Sequence, residues 1–401
     1  MSGENKINKI IFFIAHLSDG GAEKVLSELS CNFPNDIEQV IVLYEKKITY
    51  PYKGKLVSLD LPITSLSFPD RIYKFIQRIF RFRKIVKMEK PDCVISFMEE
   101  ANFINIMVSR NPIVTVHILQ SINPKRLSSF IVIKLMISAL YNRAKVIAVS
   151  KGVRNDLIKK FGVKEEKVQV IYNPIGIEEI QKLSQENIYD NKLENDIPVI
   201  VTSGRLTEQK GQWHLIRAFS EVRKRIPCRL VIMGTGELDG YLRELTRELN
   251  LEDDVVFWGW QKNPYKYLAN ANVFVLSSLW EGFGIVLVEA MVCKLPVIST
   301  DCQSGPREIL APQSNGNNQI NDIEYAEFGL LVPVCDGIFY KANDPLTKEE
   351  SVLADAIVKV ISDNKLSKHY SEMGLQRARD FNVNKIVEEY TLLLQEVGGS
   401  K

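Results

Sequence analysis

The sequence predicts an α/β fold built from two doubly wound, parallel-sheet domains. Its length of 401 residues is too great for one ordinary domain and suits two. In each half, short apolar runs of strand length alternate with segments of helical period, which implies parallel sheets with helices on both faces. A polar, charged stretch without strong period, residues 178–196, lies between the halves and is the candidate linker. Ligands in such sheets bind beyond the carboxyl ends of the strands. With two sheets facing each other, the interdomain cleft is the default site.

In the first half, Lys9 to Leu17 reads as the first strand, and a loop with Gly20 and Gly21 follows. Ala22 to Cys31 has helical spacing, with Val25, Leu26 and Leu29 on one face. The glycine pair could let a ligand approach backbone N–H groups, or be an ordinary turn; no G-x-G-x-x-G is present. Gln39 to Tyr44 is a second strand. Residues 71–90 then carry eight basic side chains, among them Arg71, Lys74, Arg78, Arg81, Lys84 and Lys87, against one acid, Glu89. Apolar residues recur between them at three and four, so this is an amphipathic basic helix. It could lie on an anionic membrane or pack its apolar face on the sheet. Cys93 to Phe97 and Ile113 to Leu119 are strands, the latter bearing His117, which could line the cleft or be a core histidine. Phe130 to Tyr141 is too short to span a bilayer. It is a buried helix or a second membrane-contact patch. Lys145 to Ser150 is a strand, Ser150 caps the helix starting at Lys151, and Val168 to Tyr172 is a further strand.

The second half runs strand Pro198 to Ser203, helix Gln212 to Lys224, strand Arg229 to Gly234, helix Leu238 to Leu249 and strand Val255 to Phe257. Val273 to Leu276 is a strand, Ile285 to Cys293 a buried helix and Val297 to Ser299 a strand. Residues 311–326, rich in Asn and Gln, break the pattern as a surface insertion. Asn384 to Val397 is a final helix, within a segment 381–401 that could pack back toward the first domain.

Composition narrows the function. Apolar content of 45% and charged content of 25% are those of a globular protein. Six scattered cysteines without a C-x-x-C pair suggest neither a zinc site nor a disulfide framework, and four dispersed histidines suggest no metal cluster. No apolar run reaches the ~18 residues of a membrane span. Net charge is +2, yet residues 1–180 hold 27 Lys and Arg against 18 Asp and Glu, while residues 181–401 hold 24 against 31. Such asymmetry suggests that the first half meets something anionic. No nucleic-acid module is visible.

The chemistry concentrates on two loops of the second half. Gly204 to Gly211 follows a strand and holds Arg205 and Lys210. Two cations there could stabilise a leaving diphosphate, or be solvated surface charges. Glu281, Gly282, Phe283 and Gly284 follow strand Val273 to Leu276, and Glu289 lies one turn into the next helix. A helix N-terminus favours anions, and two carboxylates can accept hydrogen bonds from sugar hydroxyls. A nucleotide sugar offers both features. The plainer reading is a buried helix with an exposed Glu at each end.

In this order, Gly204-Arg205-Leu206, Lys210-Gly211, Glu281-Gly282-Phe283-Gly284 and Glu289 resemble the retaining glycosyltransferases of family 4, most specifically over residues 200–310. The resemblance implies the GT-B fold, with two facing Rossmann-like domains. Residues 1–180 would bind the acceptor and 197–380 the nucleotide-sugar donor. Arg205 and Lys210 would bind the donor diphosphate, Glu281 the transferred sugar and Glu289 the ribose. Gly204 and the backbone of Gly282, Phe283 and Gly284 would face the donor phosphates. Gly20 and Gly21 would lie by donor and acceptor, and His117 by the sugar. No metal or cofactor is implied.

The run Ser304-Gly305-Pro306-Arg307-Glu308-Ile309-Leu310 is similar to that of enzymes assembling surface glycans. Many of these extend polyprenyl-diphosphate-linked glycans from UDP-sugars, peripherally on the cytoplasmic face of the inner membrane. The basic helix would then meet the anionic membrane and the acceptor's pyrophosphate. Alternatives are a cytosolic transferase with a soluble acceptor and a non-catalytic sugar-nucleotide-binding scaffold.

Overall fold

The computed structural model describes residues 7–18, 20–63, 67–121, 130–188, 197–314 and 320–399. The chain forms two compact units. One comprises Met1–Pro174 with Asn382–Lys401, and the other Ile175–Phe381.

The first unit is a seven-stranded parallel sheet: β1 (Lys9–Ile14), β2 (Glu38–Leu43), β3 (Lys55–Ser58), β4 (Cys93–Phe97), β5 (Pro112–Val116), β6 (Lys145–Ala148) and β7 (Val168–Val170). Its order is β3-β2-β1-β4-β5-β6-β7. The helices are α1 (Gly21–Asn32), α2 (Phe68–Glu89), α3 (Glu99–Val108), α4 (Phe130–Tyr141) and α5 (Lys151–Phe161). Apolar runs such as Ile10–Ile14 and Val40–Leu43 are buried along their whole length, as expected for strands covered on both faces. The short edge strand β3 and helix α3 were not foreseen; four residues of Lys-Leu-Val-Ser give little period to read. Ser150 caps α5 as expected, its hydroxyl accepting from the Val153 N–H at 3.1 Å.

The second unit opens with α6 (Ile177–Ser184), followed by β8 (Val199–Ser203), α7 (Gln212–Arg225), β9 (Arg229–Met233), α8 (Asp239–Glu248), β10 (Val255–Gly259), α9 (Tyr265–Leu268), β11 (Val273–Leu276) and α10 (Ile285–Val292). Then come β12 (Val297–Thr300), α11 (Pro306–Leu310), β13 (Glu324–Tyr325), β14 (Leu330–Val332), α12 (Lys348–Ser362) and α13 (Asn364–Ala378). The sheet order is β10-β9-β8-β11-β12-β14-β13, parallel except for the β13–β14 pair. The last helix, α14 (Val383–Gly399), belongs to the first unit and packs on α1.

The linker expectation is corrected. Residues 177–184 are α6, which packs on α9 and α10 of the second unit. Ile177 and Ile180, three apart, bury one face. Eight residues with a single apolar face are too short for the period to stand out against the charges. Residues 189–196 lie outside the described residues. Within the expected surface insertion, Glu324–Tyr325 forms a short strand on β14, and residues 315–319 lie outside the described residues.

Helices α7 and α12 are joined by a buried charge cluster. The Glu350 carboxylate accepts from Arg217 Nε at 2.9 Å and lies 2.7 Å from His214 Nδ1, and its other oxygen accepts from the Thr347 N–H at 3.0 Å. Burial opposes ionisation of Glu350, but His214, Arg217 and Thr347 outweigh it and hold the pKa below the ordinary carboxylate range. Its stabilisation is therefore complete above that range and is lost as pH falls through the folded pKa. Glu350→Ala is expected to cost about 3 kcal/mol in urea unfolding at neutral pH, because Arg217 is left buried without its anion. The difference from the parent protein should shrink on acidification below the carboxylate range.

Candidate donor-sugar site

In the second sheet, the strand order reverses between β8 and β11. Crevices at such reversals, beyond the carboxyl ends of the strands, are where open α/β sheets bind ligands. The two chemistry-bearing loops leave those two strand ends. Arg205 and Lys210 follow β8, and Glu281 to Gly284 follow β11.

The loops are tied together by side chains and backbone. Lys210 Nζ donates to Glu281 Oε1 at 2.5 Å, and both side chains are largely out of water. Ser278 Oγ donates to the same oxygen at 2.6 Å, and Gln209 Nε2 donates to the Trp280 carbonyl at 2.9 Å. The Leu279 N–H donates to the Gln209 carbonyl at 2.8 Å, and Ser277 Oγ to the Lys210 carbonyl at 3.0 Å. This close approach requires Gly211. At φ +59°, an added Cβ would meet the Ser277 carbonyl oxygen at 2.5 Å.

Glu289 lies one turn into α10, buried, and accepts from the Tyr265 hydroxyl at 3.1 Å. The N-terminus of α10 starts at Gly284 and has no side-chain cap, so its first N–H groups form an anion-favouring end. Arg205 is exposed, and its guanidinium makes no hydrogen bond or ion pair among the described residues. The segment after β12 closes the back of the Glu281–Gly284 turn. Ser304 Oγ donates to the Gly282 carbonyl at 2.8 Å. Gly305, at φ +85°, lies so close to Phe283 that a Cβ would sit 2.1 Å from its carbonyl oxygen. Burial pushes the neighbouring Cys302 thiol well up, so it stays protonated.

Arg307 braces this segment. Its guanidinium donates to Asp301 at 2.8 and 2.6 Å and to Glu324 at 3.0 and 2.8 Å. It thereby joins α11, the loop after β12 and strand β13. Sequence reasoning singled out the Ser304–Leu310 run but not this bracket, because Glu324 lies 17 residues away inside the insertion.

In the first unit, Gly20 precedes α1, and the Glu23 carboxylate folds back over it. Gly21 is the first residue of α1. Position 19 lies outside the described residues. His117 follows the last residue of β5 and is not within the strand. Its ring stacks on Phe97 at 5.8 Å, and Nε2 lies 3.0 Å from Thr115 Oγ1. Burial pushes its pKa down to about 4.

The basic helix is corrected at Arg78. That side chain is 4% exposed, with hydrogen bonds to the carbonyls of Leu61 and Pro62 and a 2.6 Å contact to Glu100. Arg81 donates to the Leu59 carbonyl and Lys74 to that of Pro62. The chain leaving β3 presents carbonyls that need donors, and these side chains supply them. Arg71, Arg83, Lys84 and Lys87 remain exposed, together with Ile72, Tyr73, Ile76 and Phe80. Among the described residues, no helix is long and apolar enough to cross a membrane.

Two Rossmann-like parallel-sheet units of this kind constitute the GT-B fold of glycosyltransferases. A family model of glycosyl transferases group 1 matches residues 184–319, and one of Glycosyltransferase Family 4 matches residues 19–179. An uncharacterised glycosyltransferase of Methanocaldococcus jannaschii is 38% identical over 80% of this chain and 84% of its own length. A Campylobacter jejuni protein is 30% identical over 96% of this chain and 98% of its own. Its name is N-acetylgalactosamine-N,N'-diacetylbacillosaminyl-diphospho-undecaprenol 4-alpha-N-acetylgalactosaminyltransferase. Among solved structures, Anabaena HepE in complex with UDP-glucose superposes with a TM-score of 0.71 at 21% identity, over 97% of this chain and 99% of that one. The chain belongs to glycosyltransferase family 4.

Arg307→Ala is expected to cost about 2–3 kcal/mol in urea unfolding, since Asp301 and Glu324 lose their shared cation. Arg307→Lys should recover only part of it, because an ammonium cannot make both forked contacts.

Proposed function

We propose that this chain is a retaining hexosyltransferase. It moves a hexose or N-acetylhexosamine from a UDP-sugar to a polyprenyl-diphosphate-linked glycan, in the assembly of a surface polysaccharide or a glycoprotein glycan. The observation that carries the reading is the Lys210–Glu281 contact at the strand-order reversal, with Glu289 in the following helix. Arg205 and Lys210 would hold the diphosphate and neutralise the charge that develops as it leaves. Glu281 would accept from hydroxyls of the transferred sugar, and Glu289 from those of the ribose. In a front-side displacement, the acceptor oxygen bonds to the anomeric carbon on the face from which the phosphate oxygen departs. The acceptor's proton passes to the leaving diphosphate. Such a step needs no protein base and no metal, so transfer should be unchanged by EDTA.

The acceptor class is supported by the name of the Campylobacter relative, which carries a diphospho-undecaprenol. The exposed Ile72, Tyr73, Ile76 and Phe80, with Arg83, Lys84 and Lys87 beside them, support docking of α2 on an anionic membrane surface, peripheral and cytoplasmic. Gly20 and Gly21 would lie next to donor and acceptor, and His117 near the transferred sugar.

Purified protein is offered UDP-GalNAc, UDP-GlcNAc, UDP-Gal, UDP-Glc and GDP-mannose, with polyprenyl-diphosphate glycans from bacterial membranes, and products are read by mass. One UDP donor should give a product one sugar heavier, with the α configuration retained. Turnover with sugar phosphates alone would move the acceptor to a soluble one, and no turnover with folded protein would favour a scaffold. Lys210→Ala and Glu281→Ala should each lower kcat/KM by at least ~100-fold, measured with the donor that works. Replacing Arg83, Lys84 and Lys87 by Glu should lower partition onto anionic vesicles by about 100-fold or more in flotation, at about 1 kcal/mol per cation.

A further inference from the structure

A buried polar cluster runs from the core of the first unit to His117. Ser96, Asn102, Asn105 and Thr115 are each at most 1% exposed. Asn105 Nδ2 donates to the carbonyls of Val94 and Ile113 at 3.0 Å, and Asn102 Nδ2 to that of Thr115 at 2.8 Å. Ser96 Oγ donates to Asn102 Oδ1 at 2.7 Å. These bonds pin the neighbouring strands β4 and β5. They fix the Ser96 carbonyl oxygen 2.9 Å from Thr115 Oγ1, which in turn lies 3.0 Å from His117 Nε2.

A hydroxyl carries one proton. If Thr115 gave it to His117 Nε2, two oxygens would face each other at 2.9 Å with no proton between them, one a carbonyl in the dry core. If it goes to the Ser96 carbonyl, Thr115 Oγ1 is left as an acceptor, and His117 Nε2 must carry the proton that it accepts. Only the second arrangement satisfies both contacts. We infer that Thr115 is a positioning residue that holds His117 as the neutral Nε2–H tautomer, with Nδ1 kept as a hydrogen-bond acceptor.

Nδ1 has no partner among the described residues. A ring of this kind accepts from a hydroxyl and does not lend positive charge to a diphosphate. Resting on the proposed transferase reading, His117 would therefore orient a sugar hydroxyl, and the cationic work would stay with Arg205 and Lys210. The low pKa of the ring agrees with this.

The chain has four histidines, so long-range proton–nitrogen correlation on the 15N-labelled full chain resolves each ring, with His117→Gln giving the assignment. At neutral pH the His117 ring is expected to show protonated Nε2 and pyridine-type Nδ1. Thr115→Val, nearly isosteric in the strand, should mix or reverse the tautomer, and Thr115→Ser should restore it. In transfer assays, Thr115→Val should lower kcat/KM about tenfold with Ser rescuing, one lost neutral hydrogen bond. A ring protonated at Nδ1 in the parent protein, or an unchanged spectrum in folded Thr115→Val, overturns the assignment. The spectrum needs no turnover, so it stands or falls apart from the transferase reading.

Discussion

The candidate site depends on one contact, the pair between Lys210 and Glu281. It closes the gap between the loops that leave β8 and β11, and both of its ends are largely desolvated. A buried ion pair is no certain source of stability, since removing two charges from water costs as much as their attraction returns. What it fixes is geometry. Ser278 and Gln209 hold the carboxylate and the turn behind it, Gly211 lets the backbones meet, and the Ser304–Pro306 segment backs the glycine turn. A cation and a carboxylate are thereby poised beside an uncapped helix N-terminus. These are the groups that a sugar diphosphate asks for.

Both units solve the same problem with different polar clusters. In the second unit, His214, Arg217 and Glu350 join α7 to α12. In the first, Ser96, Asn102, Asn105 and Thr115 join β4, α3 and β5. Each cluster leaves a buried atom without a hydrogen bond, Asn105 Oδ1 in the first unit and His214 Nε2 in the second, which costs stability, while the bonds that are made tie together the elements that carry them. The first unit's cluster ends at Thr115 Oγ1, 3.0 Å from His117 Nε2.

Much of this was legible in the sequence, for identifiable reasons. Strands covered on both faces give unbroken apolar runs, which located β1, β4 and β11. Glycines after strands located the Lys210 and Glu281 loops, and the alternation gave two doubly wound sheets, the GT-B architecture. What stayed hidden depends on contacts far apart in the chain. Nothing local marks Tyr265 as the partner of Glu289, or Glu324 as the partner of Arg307. Periodicity placed Arg78 among the cations of an amphipathic helix, but it could not show that the chain after β3 would present bare carbonyls to it. The short α6 resembles a linker in sequence because its charges outweigh its two buried isoleucines.

The central claim is that the crevice beyond β8 and β11 receives the sugar nucleotide. Hydrogen–deuterium exchange of the intact chain with saturating UDP, read by mass spectrometry, tests it without any acceptor. Added protection should concentrate in peptides covering residues 203–211 and 277–289. Protection absent from both segments in a protein that binds UDP, or confined to other strand ends, would contradict the account.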